Sequence, residues 1–295
     1  MQIFYDRKFL ERAKSELRHD FGATVKVVPM NSGKTVYFNR FTPLAVVTTA
    51  LSEGPYTAAA DLTSSVVSAT LAEYGQATAV YSLFEMTSLD TNLAEHVDVM
   101  GQNAGESIDQ LIRAELAASA TGQTALGKTD LSNIGVTDTL TGLEIRKAVR
   151  TLKVNKAPRF PGGMYRGIIG PQTAMDLMGN SEWLDAHRYT NADAIMRGVV
   201  GKLHGVEFVE TTDPATVAST VTVYYNFIFG ANAYAVVGLG GAPSLGGANV
   251  AVKTPGPNST NDPLNMVSTI GWKVPFAVKV LNANWIINVK TGATA

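Results

Sequence analysis

Apolar side chains recur along the first twenty residues at the spacing of an amphipathic helix. Phe9, Leu10, Ala13 and Leu17 share one side, with Arg7, Lys8, Arg12, Lys14 and Arg18 on the others. This predicts a short arm, either docked on its own body with a wet charged face or reaching a neighbouring molecule. The period then shifts toward two. Extended pieces at 25–28 and 35–41 are punctuated by Pro29, the turn Asn31-Ser32-Gly33, and Pro43. Residues 54–84 carry only Asp61 and Glu73 as charges, and two β-leaning runs, 62–71 and 74–83, predict a long hairpin.

A helical period returns with Leu89, Leu93, Val97, Met100, Ala104, Ile108, Leu111 and Leu116, one apolar stripe over nearly thirty residues, or roughly 40 Å of helix. Thr87 and Asp90 ahead of it predict a capping box. Gly101 and Gly105 inside the stripe each cost about 1 kcal/mol relative to alanine, so they predict a bend or a close contact with another element.

Residues 121–139 are polar loop, after which Thr141 and Glu144 predict a second capping box for a helix with Ile145, Ala148, Val149 and Leu152 on one face. Residues 164–170 read as a buried strand, and Pro171 suits the first turn of a helix that runs on through 172–178. Further strands are predicted at 205–210, 224–229 and 233–237, then a Gly- and Pro-rich loop at 238–257, and closing strands at 269–281 and 285–289. The chain is therefore α+β, without an internal repeat of fixed period.

Composition changes the picture in one respect. Charged residues make up 17% of the 295 residues, against about 25% in an ordinary soluble domain. Surface rich in Ala, Thr, Ser and Gly is tolerable when neighbouring subunits bury it again, which favours an assembly over a free monomer. The net charge of -1 argues against a dedicated nucleic-acid binder, and with no cysteine there are no disulfides, thiolate metal sites or cysteine nucleophiles. The N-terminus has no uninterrupted apolar stretch of the secretory kind and no later run is long enough for a membrane span, so the expectation is a soluble protein made in the cytoplasm.

One catalytic pattern matches in full: Gly122-Gln-Thr-Ala-Leu-Gly127-Lys128-Thr129 spells a phosphate-binding loop. Such a loop needs a buried strand before it and a helix N-terminus after it. Here a long helix precedes and a poor helix former follows, so the segment reads as a connector with a solvated lysine, and a P-loop nucleotide hydrolase stays a competing reading. His19, His96, His187 and His204 stand at no metal-binding spacing. Ser181 lacks the closing glycine of a nucleophile elbow, and Gly238-Leu-Gly240-Gly241-Ala-Pro243 breaks a dinucleotide fingerprint with proline. Catalytic, cofactor-binding and metal-binding residues are thus expected to be none. Arg146, Lys147, Arg150, Lys153, Lys156 and Arg159 form the densest basic cluster, a solvated face by default that could also touch DNA or a neighbour's carboxylates.

The order and spacing of several segments carry a resemblance. They are Tyr5 to Arg12, Asn31 to Val36 leading to Arg40 to Leu44, Leu51 to Gly54, Glu144 to Lys153, Gly167 to Pro171, Trp183 to His187, Val206 to Thr212, and Asp262 to Asn265 with Gly271 to Lys273. Over nearly its whole length the chain resembles the major capsid proteins of coliphage N4-like tailed phages, within the Hong-Kong-97-like fold that tailed phages share with herpesviruses.

The resemblance implies an N-terminal arm at 1–46, an extended hairpin loop at 47–86, a peripheral domain with a spine helix at 87–135, an axial domain at 136–250, and return strands of the peripheral domain at 251–295. It implies a non-enzymatic, self-assembling virion protein that forms hexamers and pentamers of an icosahedral shell. The partners implied are scaffolding, portal and decoration proteins, and double-stranded DNA held inside without sequence specificity. No membrane and no cofactor are expected. Another kind of phage structural protein is the remaining alternative.

Overall fold

The computed structural model describes residues 2–48, 60–87, 92–184, 201–240, 249–253 and 266–294. Its elements, in chain order, begin with α1 (Gln2–Glu16), β1 (Thr24–Val28), β2 (Thr35–Phe41), β3 (Ser64–Thr70), β4 (Ala72–Tyr81), α2 (Ser82–Thr87) and α3 (Asn92–Ser119). They continue with β5 (Thr121–Thr124), α4 (Gly142–Val154), β6 (Tyr165–Ile169), α5 (Pro171–Met178), β7 (Lys202–Leu203), β8 (Val206–Glu210) and β9 (Ala215–Ala218). The last are β10 (Thr222–Phe229), β11 (Tyr234–Leu239), β12 (Asn249–Lys253), β13 (Val267–Val280) and β14 (Ile286–Thr291).

Two sheets organise the molecule. The first runs β1-β11-β13-β12, with β4 on the opposite edge of β13; the second runs β5-β14-β10-β6-β8-β7, with β9 also on β10. β13 is long enough to serve three partners: β12 pairs with Thr269 to Lys273, β11 with Phe276 to Val280, and β4 covers Val267 to Phe276 on the other side. Pro275 has no N–H to give, and it falls in the gap between the β12 and β11 registers.

The long helix α3 lies on the first sheet. Val97, Ala104, Ile108, Ile112 and Leu116 are fully buried there with Trp272, Val274 and Phe276. Ile112 takes the central place that periodicity gave to Leu111, which is only partly buried. α1 docks across α3 through Phe9 and Ala13, both fully buried, so the arm is held by its own body. The glycine pair supplies the close contact: a Cβ at Gly101 would come 2.9 Å from the carbonyl oxygen of Phe9, and one at Gly105 would come 2.5 Å from that of Ala13. The second sheet carries α4 and α5 on one face, around Ile145, Leu152, Tyr165, Leu177, Ile228 and Val289.

Several expectations are corrected. The runs 62–71 and 74–83 do not pair with each other. β3 turns back onto β2, and β4 continues into the first sheet against β13; both segments read as strand, and periodicity carries no information about the partner. Of the two C-terminal strands only β13 joins the first sheet, since β14 lies in the second between β10 and β5. The stretch 121–139 contains strand β5, and 238–257 contains β12. Neither capping box appears among the described residues. Thr87 ends α2 and its hydroxyl donates back to the Leu83 carbonyl, while Asp90 lies outside the described residues. Thr141 is the N-cap of α4 but makes no side-chain cap hydrogen bond, because Glu144 is drawn into other contacts.

Candidate assembly surfaces

β2 and β3 pair with each other and with no other strand among the described residues, forming a two-stranded ribbon. Alternation gives it two unlike faces. On one, Val36 and Ala69 are buried at the root against Val28, Val237 and Ala277 of the first sheet. The other carries Tyr37, Phe41 and Val66, each more than half exposed at 62%, 58% and 57%. Val46 and Val47 beyond β2 are exposed as well, at 84% and 83%. Contiguous apolar surface of this kind marks an interaction site on a soluble chain. A two-stranded ribbon with one apolar face open is also marginal by itself.

The basic cluster is divided. Arg146 pairs with Glu182 at 3.0 Å and Lys147 with Glu144 at 2.8 Å. Arg159 lies over the Tyr165 ring. Arg150, Lys153 and Lys156 remain exposed. The expectation of no acidic balance nearby therefore fails for the first two residues, whose carboxylate partners belong to the same chain.

The phosphate-loop spelling folds as something else. Gly122 lies in β5, an extended strand parallel to β14, so its backbone N–H groups do not curl round an anion. Lys128 points back into its own loop. Its ammonium donates to the Asn133 carbonyl at 2.7 Å and lies 2.6 Å from Asp138 Oδ2, so it is an internal tie and not the solvated lysine expected from sequence. Asp138 is buried. The Gly135 N–H, and then Lys128, hold its carboxyl below the usual 3.8. Beside β5 a shallow cleft of about 340 Å³ is lined by Gln123, Glu144, Lys147 and Arg150. Gln123 and Lys147 both donate to the Glu144 carboxylate, which fills its floor.

Sequence spacing gave His19 no role, yet it is a fully buried joint. Asp109 of α3 accepts the backbone N–H groups of Arg18 and His19 on Oδ1, at 2.8 and 2.7 Å, and faces His19 Nδ1 with Oδ2 at 2.6 Å. Tyr234 of β11 donates its hydroxyl to the His19 carbonyl at 2.7 Å. Burial, with the nearby charges of Asp20 and Asp109, holds that phenol well above its ordinary 10.0, so it stays a donor. His204 Nε2 lies 3.0 Å from Glu182, His96 is partly buried on α3, and His187 lies outside the described residues. Among the described residues no three His, Asp or Glu side chains gather as a metal site, and no helix is long and apolar enough to cross a membrane.

A family model described as phage capsid protein matches residues 12–237. No curated protein matches the chain in sequence. Solved structures share its fold at low identity. The capsid of cyanophage Pam1 aligns with a TM-score of 0.71 at 14% identity, over 96% of this chain and 92% of that one. The capsid of Ralstonia phage GP4 aligns with a TM-score of 0.72 at 12% identity, over 92% and 87%. A virus-like particle from Pyrococcus furiosus aligns with a TM-score of 0.53 at 11% identity, over 96% of each chain.

Proposed function

The chain belongs to the phage capsid protein family, and from that membership we propose that it forms hexamers and pentamers that close into an icosahedral shell around double-stranded DNA. It is a major capsid protein of Hong-Kong-97-like fold. Its work is geometric: closed symmetry multiplies modest contacts into a stable container.

The observation that carries the shell reading is the β2–β3 ribbon, apolar on an open face and outside both large cores. In this reading the ribbon and the residues it encloses, 35–70, are the extended loop, a shift from the span 47–86 that the sequence suggested. α3 with the first sheet serves as the peripheral domain. The second sheet with α4 and α5 serves as the axial domain, and it includes β14 from the last segment. Residues 1–46 keep their part as the arm that leads into the ribbon.

We further place the chain beside the N4-like phages, on the segments that carry that resemblance. Scaffolding and portal proteins are its assembly partners, and a decoration protein is a further one. It carries out no catalysis, is made in the host cytoplasm and ends in the virion. Limited proteolysis tests the ribbon's part. Free subunits are expected to be cut first within 35–70 and assembled shells to resist there, while β4 resists in both. Equal resistance of the ribbon in free subunits would contradict the reading.

A further inference from the structure

β4 presents the longest open strand edge in the described part of the molecule. It meets β13 along one side from Ala72 to Tyr81, and its other side meets no strand among the described residues. Edges that stay open in solution are guarded by lysine, proline or a bulge, because unpaired N–H and C=O groups template further pairing. Along Ala72–Tyr81 there is no proline and no lysine, and Glu73 is the sole charge. Gly75, Ala77 and Ala79 also leave this edge low and approachable. Near its first residues lies a cleft of about 330 Å³, lined by Thr70, Tyr74, Leu111, Ala114, Phe276 and Val278.

The ribbon has the complementary deficit. As a two-stranded sheet it lacks a third strand, and its exposed Tyr37 and Phe41 have no apolar partner on their own chain among the described residues. β2 carries Arg40 and is preceded by Lys34, opposite in sign to Glu73. We propose that the outer edge of β4 accepts β2 from the ribbon of a second copy, with the Tyr37–Phe41 face turned to the cleft. The inference rests on the shell reading above and names how one subunit grips the next. Strand addition supplies main-chain hydrogen bonds for affinity, and alternate side chains in pockets give specificity. The joint is head-to-tail, because each copy offers one ribbon and one β4 edge. Head-to-tail joints close into rings, as hexamers and pentamers require, whereas β4 paired with β4 would stop at a two-fold dimer.

The absence of cysteine makes the test clean. Asn39→Cys in β2 is combined in turn with Glu73→Cys, Gln76→Cys and Ala79→Cys in β4, and purified particles are oxidised and run on a non-reducing gel. At least one pair is expected to give a ladder of linked chains up to ring size, with none from single variants. Intact particles without a ladder from any pair would overturn the proposal, as would dimers from Gln76→Cys alone. Hydrogen exchange on the unsubstituted protein gives a second reading, with residues 35–41 and 72–81 gaining protection together on assembly. Unchanged exchange across 72–81 in shells would overturn strand addition while leaving the shell intact. Failure of the unsubstituted chain to form particles at all would overturn the shell reading and this inference with it.

Discussion

The imidazole Nδ1 of His19 lies 2.6 Å from Oδ2 of Asp109, and this fully buried contact fastens the end of the arm to the middle of the long helix. Burial by itself would raise the Asp109 carboxyl. The hydrogen bond and charge of His19, with the N–H groups of His19 and Arg18, outweigh burial and hold it below 3.8.

His19→Ala should therefore destabilise the unassembled subunit by about 3 kcal/mol at neutral pH, because it strands a buried carboxylate. A carboxyl lowered by folding contributes stability above its unfolded value and loses it as pH falls through the folded one. The parent should thus lose stability steeply below about pH 4, and the variant should show a shallower slope there. Urea midpoints from pH 7 downward check both.

Gly105→Ala should destabilise even though alanine is the better helix former by about 1 kcal/mol. Its Cβ would meet the Ala13 carbonyl oxygen at 2.5 Å and Glu16 Cβ at 2.9 Å, and backbone cannot yield as a side-chain tip can. Overpacking of this kind costs about 1–3 kcal/mol, so a net loss is expected. Thermal unfolding, with earlier proteolysis within α1, would show it.

What could be read from the sequence follows from range. α3 was legible because its stripe from Val97 to Leu116 is local, and the contact at Gly101 and Gly105 was legible because glycine inside a helix needs a reason. Strand partners were not: nothing between residues 62 and 83 distinguishes a neighbour in sequence from β2 or from β13, roughly 190 residues away at the Tyr81–Val267 pair. The phosphate-loop spelling was correctly set aside for want of a flanking strand and helix. The tie from Lys128 to Asp138 was missed because it depends on how the loop closes. The exposed face of Tyr37, Phe41 and Val66 was hidden too, since exposure is a property of the whole fold.

Lys128→Ala should cost about 1 kcal/mol, because Asp138 keeps the Gly135 N–H at 2.7 Å after losing its cation. Particles should still form, and equilibrium dialysis should find no saturable ATP binding in parent or variant. Binding present in the parent and lost in the variant would restore the hydrolase reading.

Tyr37→Asp with Phe41→Asp should leave the subunit's unfolding midpoint almost unchanged, since surface substitutions away from packed features usually fall within about 0.5 kcal/mol. Assembly should fail, because the charges would enter a face that a neighbour covers. Sedimentation of the co-expressed protein distinguishes monomer from shell. Normal shells from the double variant would mean that this face stays wet in the particle.

Negative-stain electron microscopy of the purified protein, expressed alone and with its scaffold, tests the central claim most directly. Closed icosahedral particles, or hexameric and pentameric capsomers, are the expected result in at least one of the two preparations. A stable, dispersed monomer in both would contradict the assignment of this chain as a self-assembling shell subunit.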